Sequence, residues 1–106
     1  MDEKKRKILE DLGGIKEEVY DSLVNEFIAD ARNNMKELEK AINENDQVVS
    51  ARIAHTIKGA SGNLRLYSIQ EASRSLEKNI KEGAPGEAVK KAFNLLCDSL
   101  VNFNAA

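Results

Sequence analysis

The stretch ARIAHTIKGASGNLRL, Ala51 to Leu66, decides how the rest of the chain is read. It holds the only histidine of the sequence, His55, followed by Lys58 and by glycines at 59 and 62. On an α-helix, at about 100° per residue, Val49, Ile53, Ile57, Ala60 and Leu64 fall in one stripe roughly 80° wide. His55 lies about 160–200° from the middle of that stripe, with Lys58, Gly59 and Gly62 on its own side. The expectation is a helix that buries aliphatic side chains and holds its imidazole toward solvent, beside a cation and a bare patch of backbone. Two glycines inside a helix cost about 1 kcal/mol each relative to alanine. Such a cost is explained if something must approach closely, and on the His55 side the expectation is a partner protein rather than another helix of the same domain.

The flanking sequence supplies amphipathic helices on both sides. Glu3 to Leu12 predicts a short helix with Ile8, Leu9 and Leu12 on one side, stopped by Gly13-Gly14. A long pattern from about Lys16 to Asn43 keeps Tyr20, Leu23, Val24, Phe27, Ala31, Leu38, Ala41 and Ile42 on one broad face. Asn43-Glu44-Asn45 reads as a tight turn, and Asn45 or Asp46 can cap the histidine helix. After it, Ser68-Ile69-Gln70-Glu71 has the form of a capping box, opening a helix with Ile69, Ala72, Leu76 and Ile80 at core spacing and ending at Gly83. Pro85 suits a first helical position, and Val89, Phe93, Leu96, Leu100 and Phe103 form the seam of a last helix. Short joins between four such helices predict an all-α fold. The architecture expected is an antiparallel up-down-up-down four-helix bundle with a short extra N-terminal helix, residues 1–106 forming one domain.

Composition agrees and narrows the function. Charged residues make up 32% of the 106 and aromatics 5%, with a net charge of −2. An acidic chain has no general affinity for nucleic acid or for anionic membranes. The basic run Lys4 to Lys7 is flanked by Asp2, Glu3, Glu10 and Asp11 and reads as a solvated helix face. Between Asp46 and Leu66, Arg52, Lys58 and Arg65 stand against one anion, a local excess of cations suited to an acidic partner surface. Cys97 is the single cysteine, so no internal disulfide can form and a zinc site has no ligand set. No apolar run is long enough to span a bilayer, and the charged N-terminus is unlike a signal peptide. A soluble, cytoplasmic, monomeric protein is expected.

The stretch Ala54 to Leu64, AHTIKGASGNL, resembles the signature of histidine-containing phosphotransfer domains of bacterial multistep phosphorelays, whose core is His-x-x-Lys-Gly on a helix. The approach AINENDQVVSARIAHTIKG and the downstream SRSLEKNIKEG are similar to the family's neighbouring helices, so that most of residues 15–83 can be laid on the pattern. One departure stands out: the family usually has Leu-Gly where this chain has Leu64-Arg65. The resemblance implies a phosphocarrier. His55 would accept a phosphoryl group from a receiver-domain aspartate or a sensor kinase and pass it to a response-regulator aspartate. Lys58 would stabilise the phosphoryl oxygens, Gly59 and Gly62 would clear the way for docking, and Arg52 and Arg65 would face the partner. The family commonly sets a Gln or Glu of the following helix against the histidine's other nitrogen. Glu77 is the candidate by spacing, the alternative being an ordinary exposed glutamate.

No cofactor is expected on this chain, and Mg²⁺ is expected in the partner receiver domain. The expected partners are response-regulator receiver domains and a hybrid sensor histidine kinase. Whether the chain is a free-standing shuttle or a domain of a larger kinase is open at this level. Two other readings remain: a bundle of the same fold that serves as a scaffold without being phosphorylated, and an enzyme using His55 as general base, for which the sequence offers no substrate pocket.

Overall fold

The computed structural model describes residues 2–103, so the expected domain of residues 1–106 runs slightly beyond them at both ends. Five helices follow in order: α1 (Glu3–Asp11), α2 (Glu17–Asn43), α3 (Gln47–Asn63), α4 (Tyr67–Lys81) and α5 (Gly86–Val101). No strand occurs among the described residues. α2 packs on α3 and α5, and α4 packs on the same two, so α2 to α5 close into a four-helix bundle around one core. The molecule is 42 Å long and 21 Å across, its length set by the 27 residues of α2, about 40 Å at 1.5 Å per residue.

The joins between helices share one chemistry. At the end of each of α1 to α4, one residue takes a left-handed backbone and its N–H bonds back to a carbonyl in the last turn, while the next N–H bonds one residue further back. Such Schellman closures satisfy carbonyls that the helix itself cannot. Gly13 (φ 89°) closes α1, Asn45 (φ 58°) α2, Arg65 (φ 62°) α3 and Gly83 (φ 66°) α4. The turn after α3, where the family's usual glycine is missing, is therefore built in the same shape as the others. Arg65 N–H bonds Gly62 O at 3.1 Å and Leu66 N–H bonds Ser61 O at 2.8 Å.

Side chains from neighbouring helices cap the remaining carbonyls and lock the helix ends together. Tyr20 Oη of α2 donates to Leu64 O at 2.6 Å, Gln47 Nε2 of α3 to Ile80 O at 2.8 Å, and Arg32 Nη2 of α2 to Leu100 O at 2.9 Å. None of the three can be read from helical periodicity, because each depends on which helix lies alongside.

Several local expectations are corrected. Ser68 and Glu71 form no capping box: α4 starts one residue before Ser68, its N-cap Leu66 has no side-chain bond, and Glu71 pairs with Arg74 instead at 3.4 Å. Pro85 is the N-cap of α5 rather than its first helical residue. Leu23 is 44% exposed, while Ile28 and Met35, outside the expected apolar face, take core places on α2. Phe103 lies beyond the end of α5 and is half-buried. Of the basic run, Lys4, Arg6 and Lys7 are exposed, but Lys5 pins α1 to α2 by ion pairs to Glu17 (3.0 Å) and Asp21 (2.7 Å). Asp46 caps α3 as expected, its Oδ1 accepting from Val49 N–H at 3.1 Å.

On α3 the buried set is wider than the aliphatic stripe. Ser50, Ala51, Ala54 and Ser61 are buried along with Ile53 and Ile57, whereas Val49, Ala60 and Leu64 are only partly so. At about 100° per residue, that turns the centre of the buried sector by roughly 70° toward the His55 side. The cause is that two helices, α2 and α4, flank α3, and small residues let α4 come close. The buried hydroxyls answer to their own helices, Ser61 Oγ donating to Lys58 O at 3.0 Å and Ser73 Oγ to Ile69 O at 2.7 Å. His55 thus stands at the margin of the packed surface rather than opposite it, and that margin places it within reach of α4.

Candidate functional site

His55 projects from the middle of α3 with 64% of its side chain exposed. Its Nδ1 lies 2.9 Å from Oε2 of Glu77, one of the buried residues of α4. A carboxylate can only accept, so Nδ1 carries the proton and the neutral ring keeps its lone pair on Nε2. Nε2 has no hydrogen-bond partner among the described residues. The ring is fixed on one side and open on the other.

Glu77 is a charged residue only 4% exposed, which requires partners. It has three. Oε1 accepts from Lys58 Nζ at 2.6 Å, and Oε2 accepts from Lys81 Nζ at 3.0 Å as well as from His55. Burial alone pushes the carboxyl pKa up, but the bonds from Lys58, Lys81 and His55 outweigh it and bring it from 4.5 down to about 2. The cluster sets two ammonium groups and the imidazole around one carboxylate, a local excess of positive charge. An anion arriving at Nε2 would meet that excess.

The remaining candidates divide. A Cβ built on Gly59 has nothing within 4 Å, so this side of α3 is open next to His55. Gly62 differs from expectation: a Cβ there would come 2.5 Å from Gln70 Nε2 of α4, so its bare side is occupied by the domain's own next helix rather than left clear. Arg65 also differs. Its guanidinium Nη1 donates to Gly62 O (3.1 Å) and Asn63 O (3.2 Å), covering the C-terminal carbonyls of α3. Arg52 is exposed and makes no ion pair among the described residues. Lys58, expected to stabilise the phosphoryl oxygens, is held here by Glu77. Lys81 is an addition to the expected site, although its place one turn after Glu77 (i, i+4) is the spacing at which a helical glutamate and lysine meet.

Among the described residues no group of three or more His, Cys, Asp or Glu side chains is placed to hold a metal ion, and no helix is long and apolar enough to cross a membrane.

A family model described as Hpt domain matches residues 22–103, most of the chain, and the helical bundle and single histidine fit that match. The chain belongs to the Hpt domain family, the phosphotransfer modules of phosphorelays. Searches of curated proteins and of solved structures returned no match.

Proposed function

We propose that this protein is a phosphocarrier of a two-component phosphorelay and that His55 is its phosphoacceptor. The observation that carries this reading is the orientation of one ring, with Nδ1–H held by the buried Glu77 carboxylate and Nε2 free on an exposed surface. In the transfer, the Nε2 lone pair forms an N–P bond as the P–O bond of a receiver's aspartyl phosphate breaks, and the aspartate carboxylate leaves with the electron pair. Nδ1 keeps its proton, so the product ring carries a positive charge, which Glu77 stabilises across the 2.9 Å contact. Reversal passes the group to a second receiver aspartate. Phosphoryl transfer depends on positioning and on neutralising charge, commonly with Mg²⁺. That metal and the reacting aspartate belong to the partner receiver domain, and a sensor histidine kinase is a second candidate donor. Lys58 supplies charge to the phosphoryl oxygens, and open space over Gly59 lets the partner's active site reach Nε2.

The test is a phosphotransfer screen against purified receiver domains. Label should appear on the wild type, survive alkali, be lost in acid as a phosphoramidate is, and be absent from His55→Ala. Acid-stable label, or label retained by His55→Ala, rules His55 out as acceptor. A folded protein that exchanges phosphate with no receiver would point to a scaffold of the same fold.

A further inference from the structure

Glu77 is buried and has two ammonium partners where one would neutralise it, and the two are not equivalent. Lys58 lies one turn after His55 on the same helix and holds Oε1 at 2.6 Å. Lys81 comes from α4, shares Oε2 with the imidazole at 3.0 Å and has 62% of its side chain exposed. A phosphoryl group on Nε2 brings about two negative charges within reach of Lys58 but leaves the Glu77 carboxylate still buried and still charged. Lys58 can serve the phosphoryl oxygens only if it leaves Glu77, and Glu77 tolerates that only while another ammonium group remains, because the ring's own positive charge is offset by the phosphoryl group it carries.

We infer that Lys81 is a positioning residue that releases Lys58 for the phosphoryl group by staying on Glu77 as its counter-ion. The inference rests on the phosphoacceptor reading of His55 and adds a residue that the His-x-x-Lys-Gly signature does not contain. Before phosphorylation both ammonium groups sit on Glu77. Once Nε2 bears phosphate, Lys58 turns to the phosphoryl oxygens while Lys81 and the ring N–H remain on the carboxylate. Each oxyanion then has a cation, with no change of helix packing. Without Lys81, Lys58 is the last ammonium group on Glu77, since the charge of the phosphorylated ring is already matched by the phosphoryl group it bears. Lys58 then stays there, and the phosphoryl group loses its stabilising charge although Lys58 is still present.

The test uses the whole chain, phosphorylated on His55 by phosphoramidate, so that no receiver is required. In that reaction the donor's N–P bond breaks as the Nε2–P bond forms, and ammonia leaves. The lifetime of the phosphohistidine is followed by ³¹P NMR, with thermal melting recorded in parallel. Lys81→Ala should shorten the lifetime roughly tenfold, the effect of losing a contact worth about 1.4 kcal/mol. Lys58→Ala should shorten it to the same extent, and the double variant no further. Lys81→Arg should restore the lifetime, and in a Glu77→Gln background, where Lys58 has no carboxylate to hold it, Lys81→Ala should have no effect. A wild-type lifetime in Lys81→Ala overturns the inference. So does a Lys81 effect that adds to that of Lys58 or persists with Glu77→Gln, since Lys81 would then touch the phosphoryl group itself. Failure of phosphoramidate to label the wild type also overturns it. Failure of the phosphorelay reading looks different: chemical labelling and the Lys81 effect intact, but no receiver giving or taking phosphate.

Discussion

At the scale of single residues, the site depends on one buried carboxylate. With Glu77 at about 2 in the folded protein against about 4.5 unfolded, its ion pairs stabilise the fold above pH 4.5, and this is lost as pH falls toward 2. The amount is on the order of 1–3 kcal/mol, kept low because Lys81 is largely solvated. Urea unfolding of wild type and Glu77→Gln should show a gap that is full at pH 6 and closes between pH 4.5 and 2; a gap independent of pH would mean that the carboxylate is not held ionised. Glu77→Ala should also release the ring, and ¹⁵N NMR of the imidazole should then show the Nδ1–H tautomer giving way to a mixture. Gly59 offers a second test. Ordinary helical torsions and open space predict that Gly59→Ala stabilises by about 0.4–1 kcal/mol. Gly59→Gln should melt no lower than wild type yet transfer phosphate at least about tenfold more slowly, a change that needs only about 1.4 kcal/mol. Normal transfer by that variant would remove docking from the reasons for this glycine. His55, Lys58 and Glu77 are legible in the sequence because the motif and its spacing name them. Lys81 is not, because an i, i+4 pair is common on solvated helices, and only the burial of Glu77 gives this one weight.

At the scale of elements, helix lengths and faces follow from periodicity and their ends from turn chemistry. Schellman closures at Gly13 and Gly83 are legible as glycine stops; the closure at Arg65 is not, since a β-carbon in the left-handed region costs about 1 kcal/mol or more. The structure shows what offsets this cost: bonds from the guanidinium to Gly62 O and Asn63 O, and the Tyr20 hydroxyl on Leu64 O. Because those guanidinium contacts are only partly buried and weak, Arg65→Gly should raise stability in urea by roughly 0.5–1 kcal/mol. A loss instead would show that the arginine bonds outweigh its backbone strain. The capping box at Ser68 fails for the converse reason. Leu66 completes the closure of α3 and at once becomes the N-cap of α4, so the chain turns before Ser68 can.

At the scale of the whole molecule, α1 stands apart from the four-helix core. It buries Leu9, adds the Lys5 ion pairs, and lies outside the matched residues 22–103. It sits by Tyr20, whose hydroxyl meets the end of α3 at Leu64, about 13 Å along that helix from His55. Deleting residues 1–14 should therefore lower stability by about 1.5–3 kcal/mol, the worth of one buried leucine, without changing phosphotransfer rates. A large loss of transfer with the bundle still folded would give α1 a part in docking. The sequence by itself determined the helix count, the face of each helix that is apolar, the bundle architecture and the exposed histidine. These are carried by residues near one another along the chain, where spacing is geometry. Only the tertiary structure decided that Gly62 is filled by Gln70, that Arg65 closes a turn, that Gln47 and Tyr20 cap foreign helices, and that Lys58, Lys81 and His55 share one carboxylate. Apart from the Arg65 closure, which is made by bonds within its own turn, each of these depends on how closely α4 approaches α3 or on which helix end lies opposite which side chain. That is set by the joint packing of four helices and is written in no single stretch of the chain.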